Sequence, residues 1–412
     1  MTALSATPRF DRASFVSLAD WLVVGVAVAL PWSTSATGIL ITVWVVVVLA
    51  MLKPAALRRE LHTAAGGLPV LLFCLGAVGM LWADVGWAAR FGGLDGFVRL
   101  LVIPLLLMQF RRSERGIWAI YAFLISSAIV LAASFFMLLI PQLDWSSHVY
   151  GVPVHDDIFQ GSEFLICGFG VLGCAVLEAG SRHRLLTFAL VVIGMLFLAD
   201  FAFAVFSRAA LLVAPLLAVL LGWRVSRWKG LLTAGALIAL VGLGTWYVSP
   251  NVQWRIGQTV KEFQDYRAAN ESTSIGEHLA FLKESLAIVA AAPLVGHGTG
   301  SIAEQFRQLA VGKAGVSAEA TVNPHNQTFA VAIQLGFLGT LALWTMWVAH
   351  FLLFRREGVV AWLGTVVVVE NIVSSTVHSH LFDFNNGWLY VFGVGVLGGM
   401  ALRRRADKLG SF

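Results

Sequence analysis

Residues 117–140 read IWAIYAFLISSAIVLAASFFMLLI, twenty-four successive positions without a charge. A helix of that length crosses the roughly 30 Å hydrocarbon core of a bilayer. Immediately before it stand Arg111, Arg112 and Arg115. A basic flank on one side of an apolar run marks a membrane helix whose flank lies in the cytoplasm. Of the 412 residues, 58% are hydrophobic and 12% charged. Soluble domains carry about 25% charged residues, so a water-soluble globule is excluded. The 15 tryptophans suit the headgroup level of a bilayer.

Similar runs fall at 19–33, 36–52, 67–83, 94–110, 117–140, 162–179, 185–201, 207–223, 230–248, 326–354, 359–377 and 385–402. The first two are short, and a re-entrant pair is the other reading of them. The pattern predicts an all-α polytopic membrane protein with about 12 transmembrane helices. Helices 1–9 occupy residues 1–248. A large helical periplasmic segment, 249–325, lies between helices 9 and 10. Helices 10–12 and a basic tail complete 326–412.

With a cytoplasmic N-terminus, 19 of the 28 lysines and arginines fall in cytoplasmic segments. They are Arg9 and Arg12; Lys53, Arg58 and Arg59; Arg111, Arg112 and Arg115; Arg182 and Arg184; Arg224, Arg227 and Lys229; Arg355 and Arg356; and Arg403, Arg404, Arg405 and Lys408. Both termini are therefore expected in the cytoplasm. This distribution accounts for the net charge of +5, and no nucleic-acid partner is expected. Cys74, Cys167 and Cys174 lie in apolar runs and imply neither a disulfide nor a metal framework. No cleavable signal is expected at the N-terminus. Two similar halves with broken helices would suggest a transporter or flippase, but no repeat is visible.

The segment 249–325 reads as helical. Ser274 and Glu277 have capping-box spacing, and helical periodicity runs over 278–291 to a stop at Pro293. A second short helix is predicted over 301–310. Between them, Gly296-His297-Gly298-Thr299-Gly300 is either a corner or a phosphate-binding turn.

Asn323-Pro324-His325-Asn326 carries the leading chemical candidate. Asn is a good N-cap and Pro a good first helical residue, which puts His325 in the first turn of a long helix. The helix dipole there favours a neutral imidazole, able to accept a proton from a hydroxyl. The bland alternative is an interfacial hydrogen bond. Arg208 opens an apolar run on the periplasmic side. A guanidinium there either binds phosphate or pairs with Asp200 or Glu370. Arg99 and Arg90 either join that anion site or snorkel to the interface. Glu370 is read as an arginine's partner before a general base. His155-Asp156-Asp157 is either a metal loop or a solvated one. His378 and His380, with Asp383, Asn385 and Asn386, either contact sugar hydroxyls or sit at the interface.

His325-Asn326, nine residues, Gly336, two residues and Gly339 resemble the signature shared by O-antigen ligases, O-antigen polymerases and bacterial protein O-oligosaccharyltransferases. Phe206 to Leu211 is similar to that family's Ser-Arg element. Ala292 to Gly300 is similar to its Pro-Leu-x-Gly-x-Gly turn. The resemblance covers roughly 185–400 and implies a GT-C-like glycosyltransferase at the inner membrane. It implies a donor glycan on undecaprenyl diphosphate and a lipid A–core sugar hydroxyl as acceptor. No metal or other cofactor is implied. His325 would handle the acceptor, with Asn326 beside it, and Arg208 the diphosphate. The family pattern leads one to expect a further arginine near the start of the helix at 275–291. His278 stands there, with Arg267 and Lys283 as the nearest basic residues.

Overall fold

The computed structural model describes the backbone of residues 12–140, 142, 151–177, 184–203, 208–248, 250–269 and 273–409. Among these the regular structure is entirely helical. The helices are α1 (Arg12–Ala29), α2 (Thr34–Ala50), α3 (Pro54–Leu61), α4 (Ala64–Gly79), α5 (Trp87–Val98), α6 (Val102–Phe110), α7 (Gly116–Leu139), α8 (Asp157–Leu177), α9 (Arg184–Phe203) and α10 (Arg208–Val248). There follow α11 (Pro250–Ala269), α12 (Ser274–Ala291), α13 (Ile302–Ala310), α14 (Gln327–Leu353), α15 (Val359–Ser374) and α16 (Phe384–Leu409).

Five stretches among the described residues are long and apolar enough to cross a bilayer: Trp87–Phe110, Gly116–Leu139, Asp157–Leu177, Ala209–Gly244 and Gln327–Leu353. A sixth is possible if α2 and α3, bent by 114°, form one broken span. Residues 13–29, α4 and α15 are apolar but shorter. The run expected at 94–110 begins earlier, because α5 and α6 join through a 3₁₀ turn at Arg99–Leu101. The runs expected at 207–223 and 230–248 are the two arms of α10. Ser226 (φ −148°, ψ 28°) and Arg227 (φ 44°, ψ −120°) break it. The backbones of Gly222 and Gly230 touch across that break, and Trp223 meets Trp228 edge to face at 5.5 Å. Eight residues apart in one helix would lie about 12 Å apart along the axis. The contact therefore requires a reversal of direction, giving arms of about 27 and 31 Å.

α14 packs along α4, α16 along α6, and α15 between α8 and α16. Trp44, Phe97, Phe110, Trp362 and Tyr390 are buried in this bundle. One end gathers the basic loops. Buried Glu60 takes Arg59 at 2.9 Å and Arg111 at 2.8 Å. Arg403 pairs with Glu114, and Arg224 donates to the carbonyl of Arg356. At the other end α12 and α13 cover the start of α14.

Candidate functional site

The tetrapeptide Asn323–Asn326 forms a turn rather than the helix start itself. Asn326 is the N-cap of α14 (φ −156°), and its side-chain oxygen accepts the N–H of Phe329 at 3.1 Å. Asn323 was the expected cap. Instead its Oδ1 accepts the backbone N–H of His325 at 2.9 Å and the hydroxyl of Ser379 at 2.7 Å. His325 itself adopts φ +52°, a left-handed conformation that no helix interior permits. It therefore stands just before the helix instead of in its first turn. Histidine tolerates this region better than most residues. Strain of this kind persists where the surroundings enforce it, often at functional sites.

The left-handed turn aims His325 into a cluster of rings. His278 lies 4.8 Å away between centroids and His378 4.9 Å, both edge to face. His278 and His378 are 6.1 Å apart, and His380 is 5.8 Å from His378. Phe281 stacks parallel to His325 at 6.0 Å. His278 and Phe281 are three residues apart on α12, so they share a face. That spacing was readable in the sequence, yet nothing there linked Phe281 to the site. Burial lowers His325 below its ordinary value, against the upward pull of Glu277. The expected neutrality thus holds, but burial is its main cause, not the helix dipole. Burial pushes His378 down to about 4, with His325 and His278 adding to the effect. It pushes His380 down to about 3, with His378 adding. Neutral imidazoles can accept protons and hydrogen bonds.

The glycine turn has a structural task. α14 is broken at Gly336 (φ 58°, ψ −151°), which strands carbonyls before the break and N–H groups after it. Residues 293–298 lie in the gap. His297 N–H donates to Ile333 O at 2.8 Å and Gly298 N–H to Gln334 O at 2.9 Å. Phe337 N–H donates to Pro293 O at 2.8 Å, and Gly300 N–H to Gln334 Oε1 at 2.7 Å. The turn thus supplies what the broken helix lacks, as an apolar surrounding demands. Its N–H groups at 297, 298 and 300 are spent on protein acceptors, which argues against the phosphate-binding reading. α12 is capped one residue earlier than expected, by Thr273, whose hydroxyl accepts the N–H of Gly276 at 3.1 Å.

The other candidates separate. Arg208 opens α10, but its side chain and that of Arg267 lie outside the described residues. Asn326, besides capping, donates to Thr376 O at 2.9 Å. Lys283 is exposed and lines an open cleft with Ala280, Glu284, Lys313 and Ser317. Arg90 donates to Val85 O at 2.8 Å and Met80 O at 2.7 Å, bracing the loop before α5. Arg99 is buried. It donates to Asp383 O and, at 3.4 Å, to Phe384 O, and it pairs with Asp95 at 3.3 Å. It neither snorkels nor opens to an anion; it holds the loop that carries His378 and His380. That role, invisible in the sequence, joins residues 284 apart. Asp156 caps α8 by accepting Phe159 N–H at 2.7 Å. Among the described residues, no group of three or more His, Cys, Asp or Glu is arranged to hold a metal ion. Asp200 accepts from Ser134 at 2.6 Å and Gln160 at 3.2 Å. Glu370 accepts from Ser374 at 2.8 Å, with His380 Nδ1 at 3.8 Å.

The histidine turn and the inserted glycine turn fall largely in one region of the chain, from α10 to the first half of α14. No curated protein matches this chain. Residues 193–344 match the family model described as O-antigen ligase.

Proposed function

We propose that this chain is an O-antigen ligase of the inner membrane. It would move a glycan from undecaprenyl diphosphate to a sugar hydroxyl of lipid A–core at the periplasmic face. The observation that carries the reading is His325: left-handed, neutralised by burial, and met by the imidazoles of His278 and His378, with His380 beyond His378.

The chemistry follows from those groups. Neutral His325 accepts the proton of the acceptor hydroxyl as that oxygen attacks the anomeric carbon. The bond to the diphosphate breaks with its electron pair on the leaving oxygen. One displacement inverts the anomeric centre. Negative charge grows on the diphosphate in the transition state, so cations fixed beside it accelerate the step. Arg208, at the start of α10, supplies one bidentate cation in this reading. His278 stands where the family resemblance led us to expect a second, 4.8 Å from His325, whereas Lys283 lines a separate cleft. The gathering of basic loops at the opposite end of the bundle supports both cytoplasmic termini and a periplasmic site. Twelve spans remain our reading, with the α10 hairpin contributing two.

Deletion of the gene, followed by gel analysis of lipopolysaccharide, tests this. A ligase mutant accumulates lipid-linked polymer and shows core-only lipopolysaccharide. Core bearing a single repeat unit would instead assign a polymerase, and an unchanged ladder would contradict both.

A further inference from the structure

The rings around His325 are a titratable set. Several elements packed against α12 bring charged groups to it, among them Glu304 and Arg307 of α13. From α11, Glu262 accepts the N–H of Ile275 at 3.4 Å. His325 comes from the start of α14, and His378 and His380 from the loop before α16. α12 itself carries Glu277, Lys283 and Glu284, the last paired with Lys313 at 3.1 Å. Glu277 is the group that acts on His325; on His378 it is the other imidazoles that act. With Lys283 in a separate cleft, the diphosphate reading assigns the second cation beside His325 to an imidazolium. His380 is almost wholly buried and His378 is wedged between rings, while His278 stands on the covering helix α12.

We propose that donor binding is coupled to proton uptake, His278 becoming an imidazolium as the diphosphate settles beside it while His325 stays neutral to serve as base. This rests on the diphosphate-donor reading above. An anion close to an imidazole favours its charged form, and burial strengthens the attraction. The proton comes from bulk water on binding and returns there when the diphosphate leaves. The acceptor's own proton goes separately to His325. A titratable grip differs from an arginine's in one way: it weakens as pH rises. Affinity for the donor is then highest in mildly acidic medium and is lost as pH passes the pKa that His278 has in the complex.

The test is calorimetric titration of the purified full chain in detergent with a glycosyl farnesyl diphosphate, a diester whose two phosphates stay ionised throughout the pH range used. It is run in two buffers of different ionisation enthalpy and from mildly acidic to mildly alkaline pH. The heats should differ between buffers by the equivalent of about one proton, and Kd should weaken by up to roughly tenfold per pH unit. His278→Arg should bind with neither effect. Binding without proton uptake in the wild-type chain, and with the same pH profile in His278→Arg, overturns the coupling and leaves the donor reading standing. Absence of binding by both proteins at every pH overturns the donor reading and the coupling with it. If His278→Arg fails to fold, the two-buffer comparison on the wild-type chain decides alone.

Discussion

Asn323 Oδ1 accepts the backbone N–H of His325 at 2.9 Å, and the hydroxyl of Ser379 reaches the same oxygen at 2.7 Å. One side chain therefore fixes the left-handed turn at His325 and ties it to the loop carrying His378 and His380. The site is assembled by this bond and by Arg99, which holds the far end of the same loop.

Asn323→Ala removes the acceptor from both donors. Unpairing a fully buried donor costs about 1–3 kcal/mol, and these half-buried ones less. Glycan transfer should fall with His325 still present, and Asn323→Asp, which keeps the acceptor oxygen, should recover most of it. Equal activity in the Ala and Asp variants would show that the turn does not depend on this side chain.

Gly336→Ala places a side chain at φ +58°, against the backbone of Leu294. The strain alone is of order 1–3 kcal/mol, and the 293–298 turn would have to retreat from its hydrogen bonds. The thermal unfolding temperature in detergent should drop clearly. A variant as stable as wild type would mean that the inserted turn does not depend on this close approach.

Arg99→Lys separates a structural pin from an anion ligand. A lysine cannot reach two carbonyls and a carboxylate with one planar fork. Stability and transfer should fall together, with the Kd for farnesyl diphosphate unchanged in the folded fraction. Weakened donor binding at full stability would return Arg99 to the anion site.

His378 and His380 are held neutral by burial, at about 4 and about 3 against an ordinary 6.5. Between 6.5 and those values the unfolded chain binds more protons than the folded one. Their stabilising effect is complete above 6.5 and is lost as pH falls through that window. Unfolding temperature should therefore decline on acidification below about 6.5, and less steeply in His380→Gln. Parallel profiles for the two proteins would show that His380 does not titrate with unfolding.

The elements and the leading candidate were legible in the sequence because they are local. Apolar runs announce themselves, and even the arms of α10 lie where runs 207–223 and 230–248 put them. His325 was found through its neighbours, but the sequence pointed to Asn323 as the cap. Only the backbone at His325, which cannot be helical, decides for Asn326. The glycine turn was legible as a corner, but not its purpose, which lies about 40 residues away in the break at Gly336. Arg99 misled for the same reason: its carbonyl partners belong to another part of the chain. His278 was legible only as one of three candidates for a second cation, with Arg267 and Lys283, and its approach to His325 and His378 was not legible.

The most direct measurement of the central claim uses purified wild-type protein and His325→Ala in detergent, with undecaprenyl-diphosphate-linked glycan and lipid A–core. Transfer is followed as the appearance of glycosylated lipid A–core, normalised to folded protein. Wild type should transfer, and His325→Ala should lose about 10²–10⁴ of the rate. Transfer by His325→Ala at the wild-type rate would contradict the account.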